Sequence, residues 1–250
     1  MNRDHERHSA NRTTYSSSYV AGLFDSIAHR YDLLNHLLSF GFDFGWRRAA
    51  IRHLRRYRPK TILDVATGTA DFALAAAILK PQSIVGIDIA ERMLAIGKTK
   101  IDRAALSSLI RLERSPAESM PFSDETFDAA IVAFGVRNFS NLAQGLREMH
   151  RVLRRGGVAL ILEFSTPRGR LAGGAYRLYS RHLLPRIGGL ISRNRSAYEY
   201  LPATVNDFPD GENFVSILQS IGFEQTACYP LTFGIATIYV SQKQFQKNQE

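Results

Sequence analysis

The sequence predicts an α/β domain on a parallel sheet, and three observations carry that expectation. Short apolar runs recur at 61–65 (TILDV), 83–88 (SIVGID), 110–114 (IRLER), 128–134 (DAAIVAF) and 158–164 (VALILEF). Helix-like stretches at about 71–79, 90–106 and 141–153 separate most of them. The chain has 250 residues, 45% hydrophobic and 22% charged, the profile of one ordinary globular domain. Strands alternating with helices imply right-handed crossovers and a sheet covered on both faces.

Each element has a local reason. Residues 1–18 are polar and lack core formers, so a disordered tail is expected there. From Val20, apolar residues recur at helical spacing through Leu23, Phe24, Ile27, Tyr31, Leu34, Leu37 and Leu38. A second helix over 45–56 stops before Pro59, and the two form an expected helical cap (19–58) on a single domain spanning 19–245. Gly156 and Gly157 mark a turn into the fifth strand. Residues 169–192 are helical in pattern but interrupted by glycine, within an expected helical insert at 168–210. A helix at 210–221 is stopped by Gly222, and strands near 224–229 and 235–240 flank a turn at Pro230. No internal repeat is present.

Composition excludes several classes. No apolar run approaches the roughly 18 residues of a membrane span. The N-terminus has no apolar signal region, and the single cysteine, Cys228, precludes an intrachain disulfide framework. A cytoplasmic protein is expected. The net charge is +9, unevenly spread: residues 1–60 hold 11 basic and 5 acidic, 61–163 hold 12 of each, and 164–250 hold 9 and 6. Seven arginines (168, 170, 177, 181, 186, 193 and 195) occur with no acid between Glu163 and Glu199. Such clusters attract nucleic acid or anionic lipid, and a solvated basic face has equal standing.

The loop after the first strand carries the first chemistry. Asp64 is followed by VATGTAD, in the pattern Asp64-x-Ala66-x-Gly68-x-Ala70. A turn of this kind lets backbone approach a nucleoside closely. Asp88 ends the second strand, 24 residues on, where a carboxylate can accept both ribose hydroxyls. Dinucleotide sites want three glycines around a pyrophosphate, which an acid before the loop would repel. An acid suits a cofactor bearing ammonium and sulfonium groups, so S-adenosylmethionine is favoured over NAD. Alanine at 66 and 70 demands backbone angles that a Cβ accepts. The turn after strand three, with Pro116 and Ala117, is placed near the adenine.

Six segments carry a family resemblance: FDSIAHRYDLLNHLLSFG (24–41), LDVATGTADFAL (63–74), GIDIAERML (86–94), AESMPFSDETFD (117–128), AFGVRNF (133–139) and RVLRRGGVALILEFSTP (151–167). With YLPATVNDFPDGENF (200–214) and LTFGIATIY (231–239), they resemble the ubiquinone/menaquinone biosynthesis C-methyltransferase family from about 20 to 240. The resemblance implies a class I S-adenosylmethionine-dependent methyltransferase fold, Rossmann-like, with a seven-stranded sheet and one reversed strand. It implies methylation of a ring carbon of a polyprenylated hydroquinone, with demethylmenaquinol ahead of the ubiquinone precursor. By the same resemblance Asp64, Thr67, Gly68, Thr69, Asp88, Pro116, Ala117 and Ala133 would line the cofactor site. Family members commonly carry Asn or Asp where Pro116 stands, and often Ser where Ala133 stands.

The chemistry then asks for catalytic groups. A quinone carbon is electron-poor; the reduced hydroquinone attacks a methyl sulfonium, best as a phenolate. A phenol ionises near pKa 10, so a base or a cation is needed at neutral pH. Arg137 and Asn138 follow strand four at the sheet's carboxyl edge, where Arg137 could stabilise a phenolate and Asn138 orient a hydroxyl. Against that, Arg137 could simply pair with an acid. On the first helix Tyr31 shares a face with Asn35, and Asp32 with His36. That helix could cover the cofactor, with Asp32 or His36 as base; a surface role is equally open for each. His29 and His36 have no companion ligands, so no metal is expected.

An isoprenoid substrate lives in a bilayer, so peripheral contact with anionic membrane at its inner face is expected. Residues 171–192 interleave apolar side chains with arginines, as a membrane-surface helix or a pocket cap would. A methyltransferase of another small molecule is one rival reading. An RNA-binding protein is another, but the chain lacks aromatic–basic interleaving and any zinc pattern, so no nucleic acid is expected. Self-association is left open.

Overall fold

The computed structural model describes residues 15–167, 169 and 195–245. Helix α1 (Ser17–Leu38) and α2 (Phe42–Arg55) precede the sheet. Then follow β1 (Thr61–Val65), α3 (Asp71–Ala76), β2 (Ser83–Asp88), α4 (Glu91–Arg103), β3 (Ile110–Arg114), β4 (Phe127–Ala133), α5 (Leu142–Val152) and β5 (Leu153–Phe164). The chain ends with α6 (Arg195–Asp207), α7 (Glu212–Ile221), β6 (Phe223–Leu231) and β7 (Ala236–Lys243). The strand order is β3-β2-β1-β4-β5-β7-β6. Only β7 runs against its neighbours, pairing antiparallel with both β5 and β6. This is the seven-stranded sheet with one reversed strand that the resemblance implies.

Strand parity sorts the core. Ile62, Ile84 and Ile131 enter the layer under α2 and α3, with Leu54 and Phe72. Leu63, Val65, Val85 and Ile87 enter the opposite layer, with Leu146, Met149 and Phe214. Successive strand residues point to opposite faces, so near-continuous apolar strands fill both layers. On α5, Leu142, Gly145, Leu146, Met149 and Val152 form one buried stripe. The Asn141 side chain caps its start by accepting from the Gln144 amide at 3.0 Å. Leu146 is wholly buried, and truncating it to alanine would cost about 2–5 kcal/mol.

Three expectations change. Helix α1 already begins at Ser17, because the Ser16 side chain accepts from the Tyr19 amide and caps it. The fifth strand starts at Leu153, five residues early. It runs through Gly156 and Gly157, which absorb a register shift against β4 between Phe127 and Ala129. Pro230 lies inside β6, paired with Thr237. An edge strand tolerates a residue with no N–H, so the turn falls instead at Thr232–Gly234. The tail at 1–14, residue 168 and the glycine-interrupted stretch 170–194 lie outside the described residues, and with them six of the seven arginines. Among the described residues, no helix is long and apolar enough to cross a membrane.

Chain topology positions the site. After β1 the chain winds toward β2 and β3; from β4 it winds the other way, through β5. Ligands in open α/β sheets bind at such a switch point, beyond the carboxyl ends of the strands.

Candidate active site

A cavity opens between the loops after β1 and β4. Ala66 and Gly68 from the first loop, Asp88 and Ile89 after β2, Ser115 and Ala117 after β3, and Ala133, Phe134, Gly135 and Asn138 around the end of β4 contribute to its wall. Helix α1 adds Ser17, Val20, Phe24 and Tyr31, one helical face closing the top.

The β1 loop is a cradle of backbone. Ala66, Gly68 and Ala70 all take left-handed angles, with φ of 53°, 55° and 65°. Alanine was expected to require ordinary angles here. The chain keeps the shape glycine would favour and accepts roughly 1–2 kcal/mol of strain at each alanine. Close packing holds it: a Cβ on Gly135 would stand 2.7 Å from the Ala66 methyl. Asp88 fixes the loop from below. Its Oδ2 accepts from the Gly68 amide and its Oδ1 from the Ala90 amide, each at 2.8 Å. Each oxygen keeps a lone pair for a further donor in the cavity. Burial pushes the Asp88 carboxyl above its ordinary range, against those backbone donors.

Asp64 does different work. It is buried beneath the loop, where its Oδ2 accepts from Thr67 Oγ1 at 2.6 Å. Burial raises its pKa to about 7, with the Thr67 hydroxyl acting the other way. Asp64 and Thr67 thus brace the turn from outside the cavity wall. Thr69 is also buried and donates to Asp32 Oδ1 at 2.6 Å. Pro116 stands off the wall, while its neighbours Ser115 and Ala117 are on it. The Ser115 hydroxyl is directed to the Pro116 and Ser119 carbonyls, each at 3.3 Å.

Around β4's end, Asn138 lines the cavity. The Tyr200 hydroxyl on α6 donates to Asn138 Oδ1 at 3.0 Å, fixing the amide. Arg137 lies behind the wall. Its Nη1 donates to Glu163 Oε1 at 2.8 Å and to the Phe134 carbonyl, and its guanidinium sits 5.4 Å from the Phe164 ring centre. Both partners of this pair are buried. The acid that pairs with Arg137 is thus in the interior, at the end of β5. Burial raises the pKa of the Tyr31 phenol on the cavity wall, opposed by the Asn35 hydrogen bond and then by the Arg137 charge.

Asp32 and His36 were expected as bases, and both stand off the wall. Asp32 Oδ2 receives Lys100 Nζ at 2.9 Å, and Lys100 also binds Asp71. His36 Nδ1 lies 2.8 Å from Asp43 Oδ2, with its ring stacked 4.2 Å from Phe44. Burial acts to raise Asp43, but Ser39 and Arg47 donors hold it low. These groups clamp the cap. Asp25 adds a third clamp, accepting from the Arg92 amide in the uncapped first turn of α4.

Sequence reading missed Glu163, Lys100 and Tyr200. An acid inside VALILEF was a usable signal for Glu163. Lys100 and Tyr200 carried none, since their partners are 68 and 62 residues away. Among the described residues, no cluster of three or more His, Cys, Asp or Glu could hold a metal.

The residues suit an adenosyl cofactor: a carboxylate for the ribose at Asp88, apolar Ile89, Met93 and Ala117 for the ring, and a cradle too tight for larger side chains. The fold is that of a class I S-adenosylmethionine-dependent methyltransferase, and the cavity has room and polarity for that cofactor. A model of the ubiE/COQ5 methyltransferase family matches residues 12–243, and the chain belongs to that family. It is 46% identical over 228 residues to a demethylmenaquinone methyltransferase of Bacteroides fragilis, covering 91% of this chain and 93% of that one. It is 48% identical over 234 residues to the ubiquinone/menaquinone biosynthesis C-methyltransferase UbiE of Geobacter sulfurreducens, covering 93% and 91%. Among solved structures, the cyclase SpnF aligns at TM-score 0.65 and 16% identity, covering 92% and 97%. A SAM-dependent methyltransferase of Aquifex aeolicus aligns at 0.53 and 15%, covering 73% and 81%. These two speak to fold alone; the first shows that the fold also serves another reaction.

Proposed function

We propose that the chain moves a methyl group from S-adenosylmethionine to a ring carbon of a polyprenylated hydroquinone, converting demethylmenaquinol to menaquinol. The observation that carries this reading is one cavity with a ribose-binding carboxylate, Asp88, on its β2 side and a fixed amide, Asn138, at β4. The names of the relatives supply the quinone class.

S-adenosylmethionine, when bound, supplies an electrophilic methyl on a sulfonium. The chain's own groups do the rest. Asp88 holds the ribose; the Gly68 and Ala117 backbone confines the adenosyl group. Asn138, fixed by Tyr200, orients a ring hydroxyl. Arg137 lends positive charge that favours the phenolate without touching it. The ring carbon forms one bond to methyl, the sulfonium becomes a thioether, and the displaced ring proton leaves to solvent or a base. Helix α1 excludes water from the cavity, held by Asp25, Asp32 and the His36–Asp43 pair. We place the enzyme peripherally on an anionic membrane, where a polyprenyl tail resides.

Incubation with labelled S-adenosylmethionine and demethylmenaquinol, beside the ubiquinone precursor, followed by product mass analysis, tests the reading. Label should enter the reduced menaquinone precursor fastest. Equal incorporation into the oxidised quinone would overturn the ring chemistry. Preference for the ubiquinone precursor would reassign the substrate.

A further inference from the structure

We propose that the protein seats on an anionic lipid surface through a phenylalanine tip formed by two adjacent turns. The choice of lipid as partner rests on the polyprenylated substrate reading above.

The turn between α1 and α2 exposes Phe40, Phe42 and Phe44 by 69%, 52% and 53%, beside an exposed Leu37. The turn between β6 and β7 exposes Phe233 by 85%. The turns touch: Trp46 on α2 donates from Nε1 to Thr232 Oγ1 at 2.8 Å and stacks on Phe42. Large apolar side chains gathered at one place on a surface mark an interaction site. Two of them sit on backbone that disfavours any side chain, with φ of 51° at Phe40 and 57° at Phe233. Glycine or asparagine would suit both positions better for folding alone. Backbone strain held at an exposed aromatic residue indicates a role outside the core.

Charge selects the partner. Phe44, Arg48 and Arg52 follow at four-residue spacing on α2, all exposed, with exposed Arg55 one turn further. Asp43, the acid of α2, is buried against Arg47 and Ser39. An apolar tip with a basic collar is the pattern of interfacial insertion, with arginines reaching headgroups as the rings enter the boundary. A second copy is a poorer occupant, since each chain carries +9 and would bring basic faces together. The tip also adjoins the reaction end: Trp46 packs 6.0 Å from Phe134, which lines the cavity.

The test uses the full chain and vesicles of phosphatidylcholine with and without phosphatidylglycerol. The double variant Phe40→Asn with Phe233→Asn should keep or raise the thermal midpoint. Its vesicle partition should fall about tenfold or more. Brominated lipid should quench the single tryptophan, Trp46, in the parent and much less in the variant. Arg48→Glu with Arg52→Glu should abolish the preference for phosphatidylglycerol. Methylation of a tail-less soluble hydroquinone should be unchanged in the double variant, while that of the vesicle-borne substrate falls. Parent-like sedimentation of the double variant would overturn the proposal, as would a parent dimer that this variant dissociates. Failure of the parent to methylate the vesicle-borne polyprenylated hydroquinone would overturn the substrate reading instead, with vesicle partition still reporting on the tip.

Discussion

The two sides of the cavity are built differently. On the β2 side, backbone does the binding: a short loop takes three left-handed residues, and Asp88 receives two amides from it and the following turn. On the β4 side and under the cap, side chains from distant parts of the chain meet: Arg137 with Glu163, Asn138 with Tyr200, Asp32 with Thr69 and Lys100. A cyclase and a methyltransferase share this fold, so the fold alone does not choose the reaction. One wall is thus set by local backbone, and the other by side chains that only the packed fold brings together.

The comparison can be broken most forcefully at Glu163. Glu163→Leu strands a buried guanidinium and should cost about 3–5 kcal/mol in denaturant unfolding. Adding Arg137→Leu should recover much of that loss in stability. A single variant as stable as the parent would mean that Arg137 finds water or another acid.

Beneath the first loop, the buried Asp64 carboxyl titrates near pH 7, above its ordinary value of 3.8. A raised folded pKa gives stability that is present below the ordinary value and lost as pH rises toward 7. Between those limits the parent should lose up to about 4 kcal/mol relative to Asp64→Asn. Asp43, Asp128 and Glu148 are held low and act in the opposite direction, so the difference between the two proteins is the quantity to follow. A flat difference across that window would show an Asp64 ionised throughout.

Asp88→Ala should weaken S-adenosylmethionine binding by about 2–4 kcal/mol, or roughly 30- to 1000-fold, by calorimetry. Circular dichroism checks that the loop it also holds is intact. Unchanged affinity would remove Asp88 from the cofactor site. Lys100→Met, at the cap, should cost about 1 kcal/mol or less, because the cluster is partly solvated. Its effect should show instead as faster amide exchange along α1. A double-mutant cycle with Asp32→Asn measures the coupling, and additive effects would dissolve the clamp.

Legibility followed the same division. Strands β1, β2 and β3 fall on the residues that their apolar runs marked, and Asp88 stands where strand register put it. Local pattern suffices there, since alternating runs and breakers act within a few residues. The Pro230 turn was misplaced because proline reads as a breaker unless the strand is known to lie at an edge. The alanine loop was harder to read, because alanine does not by itself announce the left-handed angles found at 66 and 70.

By itself the sequence determined the order of strands and helices, the places of the first loop and of the acid that ends β2, and the family. These follow from periodicity, spacing and motif, all short-range or shared by descent. Tertiary structure alone decided which polar groups face the cavity. It turned Arg137 inward onto Glu163, set Asp64 and Thr67 under the loop, and turned Asp32 and His36 from expected bases into clamps. The physical reason is that a buried charge takes the nearest complementary group in space. That neighbour is chosen by how the layers pack, not by position along the chain.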